Sequence, residues 1–334
     1  MNRGPAASER APSADGSDLE IAPARASDLG AALRLAEEGA RRHGYVHPGE
    51  GALRALLDRE GGAVLVARRG GRVHGVVATQ WLEWDSKMLG VPLGRAGIVA
   101  LGEEAGGAPG TRLLMAARAD AARRGWRALW LRIASKDAPA MRAVEGCRGE
   151  LISTLVTYAF DLEGSGPRKG APPGVRIRPA EERDVARLRE LGSRAFLQGR
   201  YRRDPMLDAE RVDTLWANSV ENAMRGRASA VLVAQVQSAV EGFVTLHCET
   251  ALNGQPAPGT GVIGLVAVSE RAGRRGIGRS LVDSALSWFA DTSCDTVEVG
   301  TQGDNAAAIQ LYTSAGFRLR RLWLDYRMRL GPRA

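Results

Sequence analysis

VIGLVAVSERAGRRGIGRSLVDSALSWF, residues 262–289, is the stretch on which the reading of this chain turns. An apolar strand ends, a loop carrying Gly276 and Gly278 follows, and a helix begins at once. Unbonded N–H groups and the positive end of the helix dipole therefore converge on one point, where an anion is stabilised. Glycine suits such a loop because a Cβ would hold a phosphate away from the backbone, and because glycine takes the unusual dihedrals the loop needs. A lone G-x-G is equally compatible with a plain turn, so the flanking sequence has to decide.

The next predicted strand, TVEVGTQ, leads into GDNAAAIQLYTSAGF, residues 303–317, in which Asn305, Ala308, Tyr312, Gly316 and Phe317 spell N-x-x-A-x-x-x-Y-x-x-x-G-F. The two segments together resemble the GNAT acetyltransferase family. The resemblance implies acetyl-CoA as co-substrate, with its pantetheine arm beside a splayed strand at Gly264–Val268, against Leu265, Val266, Ala267 and Val268. It also implies a pyrophosphate cradle at Arg274, Arg275, Gly276, Ile277, Gly278, Arg279 and Ser280, with arginine side chains adding charge-assisted bonds. Asn305 and Ala308 complete the implied cofactor contacts. The family usually has Arg or Gln where this chain has Gly273, but a cradle built mostly of backbone survives that change.

Tyr312 is the candidate acid. A thiolate leaving a collapsing thioester needs a proton, and a phenol of pKa about 10 can supply it; the alternative is that Tyr312 only packs a helix face. The attacking amine must be neutral, so a base has to take its proton. His247 and Glu249 alternate on one face at the end of GFVTLHCET and are the candidate bases beside water.

The chain reads twice through one order of elements, divided by EGSGPRKGAPPG at 163–174, a linker composition. EIAPARASDL and VRIRPAEERDV open the halves. AVLVARRGGRVHGVVA (63–78) and AVLVAQVQSAVEGFVTL (230–246) read as hairpins, the first turning on Gly-Gly. Each half continues with a strand, an amphipathic helix, a strand and a helix. The expectation is an α/β (α+β) tandem fold of two mixed, mostly antiparallel sheets flanked by helices: a disordered tail at 1–19, a first domain at 20–162, a linker, and a catalytic domain at 175–332. The first half reads as a degenerate copy. GGAPGTRLL (106–114) puts Ala108 over Gly276 and a proline that lacks an N–H at 109, while Asp137 replaces Asn305 and Val144 replaces Tyr312.

Two further stretches, LEWDSKMLGVPLGR (82–95) and FLQGRYRRDPMLDAERVDTLWANSVENAMRG (196–226), resemble the TDP-fucosamine acetyltransferases, a subfamily acting on a nucleotide-linked 4-amino-4,6-dideoxyhexose. That resemblance makes Trp84, Asp85, Arg200, Tyr201 and Arg203 candidate acceptor contacts, the arginines as forks for a pyrophosphate and the tyrosine as a stacking ring. Other small amines (an aminoglycoside, a polyamine, a thiol precursor) and a non-catalytic CoA-binding regulator are the alternatives.

Composition sets the bounds. The chain has 334 residues, enough for two compact units, and a net charge of +8. Its arginines are interleaved with acids, as in AEERDVARLRE, so a nucleic-acid partner is not expected. No run approaches the roughly 18–20 apolar residues of a membrane span. With no secretory h-region and three cysteines far apart in sequence, a cytoplasmic monomer or homodimer without structural disulfides is expected. The four histidines offer no zinc spacing, His43 and His47 reading as surface residues, so no metal is expected.

Overall fold

The computed structural model describes residues 19–43, 53–54, 61–102, 107–163, 170–248, 259–273 and 275–331. Residues 1–18 of the expected tail and the middle of the expected linker lie outside these residues, as do His47, Glu249 and Arg274, while Leu19, expected to end the tail, is buried and begins the first strand. The first half contains β1 (Leu19–Pro23), α1 (Leu29–His43), β2 (Gly62–Arg69), β3 (Arg72–Trp81), α2 (Glu83–Leu89), β4 (Leu93–Leu101), α3 (Ala108–Arg123), β5 (Ala128–Ala134), α4 (Ala138–Gly146) and β6 (Glu150–Asp161). The second contains β7 (Val175–Pro179), α5 (Val185–Ala195), α6 (Arg200–Arg203), α7 (Ala209–Asn222), β8 (Ala230–Val236), β9 (Ala239–Cys248), β10 (Thr260–Val268), α8 (Ile277–Ala290), β11 (Thr296–Gln302), α9 (Ala306–Ser314) and β12 (Arg318–Arg329). No helix among the described residues is long and apolar enough to cross a membrane.

The repeat is physical. β2 and β3 turn on Gly70 and Gly71, both at positive φ, as a tight hairpin demands. The matching turn of β8 and β9 places Gln237 at φ 55. Each half opens on a short 3-10 turn whose aspartate, Asp28 or Asp184, accepts the backbone N–H three residues earlier and is gripped by an arginine, Arg68 or Arg178. That arginine holds each carboxyl below the usual aspartate range.

Among the described residues the two expected sheets join edge to edge into one sheet of twelve strands, ordered β1-β2-β3-β4-β5-β12-β6-β11-β10-β9-β8-β7. The halves exchange their last strands. β12 pairs with β5 of the first half, β6 pairs with β11 of the second, and β6 and β12 pair with each other. Two pairings are parallel, β4 with β5 and β10 with β11, at equivalent places in the halves. One face is covered by α3 and α4 in the first half and by α8 and α9 in the second. On the other face α2 meets α7, around Leu89, Leu93, Trp130, Val212 and Leu215. The stretches 82–95 and 196–226, singled out separately in the sequence, therefore pack on each other.

Candidate active site

β10 and β11 run side by side only from Thr260 opposite Thr296 to Ile263 opposite Val299. Beyond that point the strands part. The cause is a bulge: Ile263 faces Leu246 of β9, but the next partners are Val266 and Val244, so Gly264 and Leu265 stand against Thr245 alone. A Cβ on Gly264 would come within 2.6–2.7 Å of His247 Nε2 and Thr245 Oγ1, so glycine is what lets the bulge sit on these side chains. Leu265, Val266 and Val268 are half-buried along the resulting wedge, and Ala267 is buried toward α5.

The top of the wedge meets α8, whose N-cap is Gly276 at φ 76 and ψ 1, a left-handed conformation that favours glycine. Regular helix bonding starts at Ser280, whose N–H reaches the Gly276 carbonyl at 3.0 Å, which leaves the N–H groups of Ile277, Gly278 and Arg279 without helical acceptors. Around Gly278 a Cβ would meet Leu311 at 3.4 Å and Val268 at 3.7 Å, ordinary contact distances. Packing does not demand this glycine, whereas close approach of a phosphate does. The arginines fit the expectation less well. Arg275 is exposed, but the Arg279 guanidinium is engaged by Asp283 at 2.8 Å and by the Ser314 carbonyl at 2.7 Å, so its backbone N–H, not its side chain, is what it offers an anion. The Ser280 hydroxyl likewise donates to the Gly276 carbonyl, at 3.2 Å.

Tyr312 lies in α9, 4% exposed, with its ring 6.4 Å from that of Tyr158 and 5.9 Å from that of Phe317. Tyr158 belongs to β6, so the first half supplies a wall here through the exchanged strand. Burial pushes the Tyr312 pKa upward, which keeps the phenol protonated. Asn305 caps α9: its oxygen accepts the Ala308 N–H at 3.2 Å and its amide donates to Thr301 Oγ1 at 3.1 Å. Asp137 caps α4 in the same way, accepting from Ala140 at 3.0 Å, so the Asn/Asp position is a helix start in both halves.

On the other edge of β10, away from β11, Thr245 accepts the Leu265 N–H at 2.9 Å and lies 3.3 Å from His247 Nε2. Thr245 Oγ can donate to Nε2 in the tautomer that leaves that nitrogen unprotonated. Burial holds the His247 pKa below its ordinary 6.5, and a hydrogen bond with the Arg227 backbone offsets this only in part. A neutral imidazole thus stands beside the bulge.

The acceptor candidates divide. Asp85, Tyr201 and Arg200 meet: Tyr201 Oη donates to Asp85 at 2.5 Å and Arg200 donates to Tyr201 Oη at 3.1 Å. The Tyr201 ring, however, is not open for stacking as expected. It is buried against Trp130 and Trp216, with the Arg200 guanidinium 4.9 Å from its centroid. Arg203 lies apart, paired with Asp304, and Trp84 is 38% exposed on α2. Sequence reasoning missed Arg132 and Asp325, bonded at 2.7 Å across 193 residues, and Asp204 and Arg327, paired across 123. No local motif marks them, because the exchange of β12 brings them together.

The first half keeps the frame but not the cradle. β4 and β5 also part, after Ala96 and Leu131, beside a bulge at Gly97. Gly107, at φ 77, caps α3 one residue earlier than the alignment of Ala108 with Gly276 implies, while the rest of the helix keeps that register, its buried Leu113, Leu114 and Ala117 matching Leu281, Val282 and Ala285 of α8, and Pro109 lies in the first turn. Its ring and missing N–H oppose phosphate binding. His43, expected at the surface, ends α1 with its side chain largely buried, 3.6 Å from Asp137. Among the described residues no group of three or more His, Cys, Asp or Glu is arranged to hold a metal.

A strand parted at a bulge beside a glycine-capped helix, built twice in one chain, defines a tandem acetyltransferase-type fold. Residues 190–317 match the model of the Acetyltransferase (GNAT) family. The chain is 32% identical over 172 residues to a mycothiol acetyltransferase of Tsukamurella paurometabola, covering 50% of this chain and 56% of that protein. It is also 32% identical over 139 residues to a dTDP-fucosamine acetyltransferase of Escherichia coli O6:H1, covering 41% of this chain and 56% of that one. The matches thus span little more than half the length of these relatives. A solved tandem GNAT protein from the clavulanic acid biosynthesis pathway shares the overall fold, with a TM-score of 0.63 and 18% identity over 95% of this chain and 100% of that one.

Proposed function

We propose that the protein is an N-acetyltransferase that moves the acetyl group of acetyl-CoA to the primary amine of a small acceptor, a nucleotide-linked amino sugar. The observation that carries this reading is the wedge between β10 and β11 with the Gly276-capped end of α8 at its mouth. Gly276, Gly278 and the first N–H groups of α8 hold the pyrophosphate, and the parted edge of β10 from Leu265 to Val268 takes the pantetheine arm. His247 takes the proton of the amine, directly or through water, as the nitrogen attacks the thioester carbonyl. Backbone N–H groups near Val266–Val268 polarise the developing oxyanion, and Tyr312 gives its proton to the departing thiolate. The acceptor amine approaches His247, and Asp85, Tyr201 and Arg200, which meet one another, are the residues proposed to hold the rest of the acceptor. The similarity to the dTDP-fucosamine acetyltransferase supports the sugar acceptor. A second reading, a mycothiol-type thiol precursor as acceptor, is favoured by the longer match to the mycothiol acetyltransferase.

Thiol release from acetyl-CoA against dTDP-4-amino sugars, mycothiol precursors, aminoglycosides and polyamines tests the proposal. Turnover confined to a nucleotide sugar is the expected result. Turnover on another amine discards the acceptor, and acetyl-CoA binding without turnover on any amine discards the enzyme reading.

Two predictions arise here. Because protonated His247 cannot act as base, kcat/KM should rise with pH along an acid limb centred below 6.5, and His247→Ala should lower kcat about 10²-fold and abolish that limb. A limb that survives in the variant assigns the proton to Glu249 or water. Gly276→Val places a β-branched residue at φ 76, with its Cβ 3.3 Å from Pro172. It should cost about 1–3 kcal/mol of stability and raise the KM for acetyl-CoA about tenfold or more, since a displaced N–H loses its phosphate bond. An unchanged KM would place the pyrophosphate elsewhere.

A further inference from the structure

Cys248 and Cys294, 46 residues apart in sequence, lie with their sulfurs 4.0 Å from each other. Cys248 ends β9 beside His247 and faces Gly261 of β10. Its N–H is fixed by Ser229 Oγ at 2.9 Å. Cys294 lies between α8 and β11, followed by Asp295 and Thr296, whose N–H groups both reach the Gly259 carbonyl. The two thiols therefore bracket the first residues of β10, at the closed end of the wedge, and both are half-exposed.

We propose that Cys248 and Cys294 form a reversible disulfide, made by exchange with a low-molecular-weight disulfide, that pins the closed end of the β10/β11 wedge. The sulfurs have to approach to about 2.05 Å, and Cys294, outside regular structure, is placed to move. One protein thiolate attacks the small disulfide, forms a mixed disulfide and expels one small thiolate. The second attacks the protein sulfur of that bond and expels the other. The protein gives up two electrons and two protons, and the oxidant leaves as two thiols. Burial, with the neighbouring sulfur adding to it, raises the Cys248 pKa, which suits it to the second, resolving step. The bond would cross over β10 and tie the end of β9 to the segment entering β11. In this proposal the short parallel stretch from Thr260 to Ile263 serves as the hinge of the wedge, so that tying its two sides restrains the separation a ligand needs.

Cys147 is an internal control. It is 1% exposed, its thiol faces the Thr111 carbonyl, and burial pushes its pKa up to about 11. The test treats the purified full chain with oxidised glutathione, maps peptides by mass spectrometry, and measures acetyl-CoA affinity before and after. Expected are a Cys248–Cys294 linked peptide, a reduced Cys147, and an affinity lower by about fivefold or more, restored by dithiothreitol. Cys294→Ser and Cys248→Ser should each give no linked peptide, going no further than a mixed disulfide at the remaining thiol, and should keep their acetyl-CoA affinity. Persistent thiols at both positions, or mixed disulfides only, overturn the cross-link; a cross-link with unchanged affinity overturns the switch. The effect on acetyl-CoA rests on the function proposed above, the cross-link does not. A reduced protein that binds no acetyl-CoA would count against that function, while the linked peptide is read separately.

Discussion

Tyr312→Phe is expected to lower kcat about 10²-fold while leaving the KM for acetyl-CoA and the stability of the fold nearly unchanged. Phenylalanine keeps the ring that packs on Tyr158 and Phe317, so the hydrophobic contacts survive and only the proton is removed. Without it a thiolate must leave unprotonated or wait for water, and a hundredfold loss corresponds to about 2.7 kcal/mol of barrier. Because burial raises the phenol's pKa, the wild-type protein should show no loss of the proposed activity from Tyr312 ionisation below its ordinary value of 10. Steady-state thiol release decides the matter. A loss under about threefold with normal KM would leave Tyr312 as a packing residue.

Asp204→Ala should destabilise the protein by about 3–5 kcal/mol, because it removes one partner of a buried ion pair and leaves the other charge in place. Asp204 follows α6 and Arg327 lies on the exchanged strand β12; both side chains are 1% exposed. The other arm of Arg327 reaches Glu150 of the first half, which is half-exposed and so compensates a buried guanidinium poorly. Asp204 also accepts the Met206 N–H at 2.9 Å, adding a lost turn bond. Urea denaturation measures the effect. Asp204→Leu combined with Arg327→Met should recover much of the loss, since two apolar groups of similar volume leave no orphan charge. A single-variant loss below about 1 kcal/mol would mean that water reaches the pair and screens it.

The elements were legible because each carries its own local signal. The Gly70–Gly71 turn, the Gly276 cap and the Asn305 start of α9 are decided by backbone dihedrals and first-turn hydrogen bonds that involve residues within four positions. Tyr312 could be singled out for the same reason, since its motif is a single helix with its cap and its ending. Where the reading slipped, the missing information was spatial. That α3 starts one residue early, on Gly107 at φ 77, was not visible in an alignment that otherwise holds through the helix. The Arg279 side chain was given to the phosphate although Asp283, one turn on in α8, takes it, and Tyr201 was taken for an open ring because the packing of Trp130 and Trp216 on it is decided by the fold.

By itself the sequence determined the duplicated order of elements and the glycine-led start of α8, and it singled out Tyr312 as candidate acid with Val144 in its place in the first half. All of these rest on short-range geometry and residue chemistry. The tertiary structure alone decided that the halves exchange β6 and β12, that Tyr158 walls Tyr312, that Asp204 meets Arg327 and that two distant cysteines touch. Strand pairing is chosen by which edges and faces bury together, a property of the assembled sheet that no single stretch of the chain encodes.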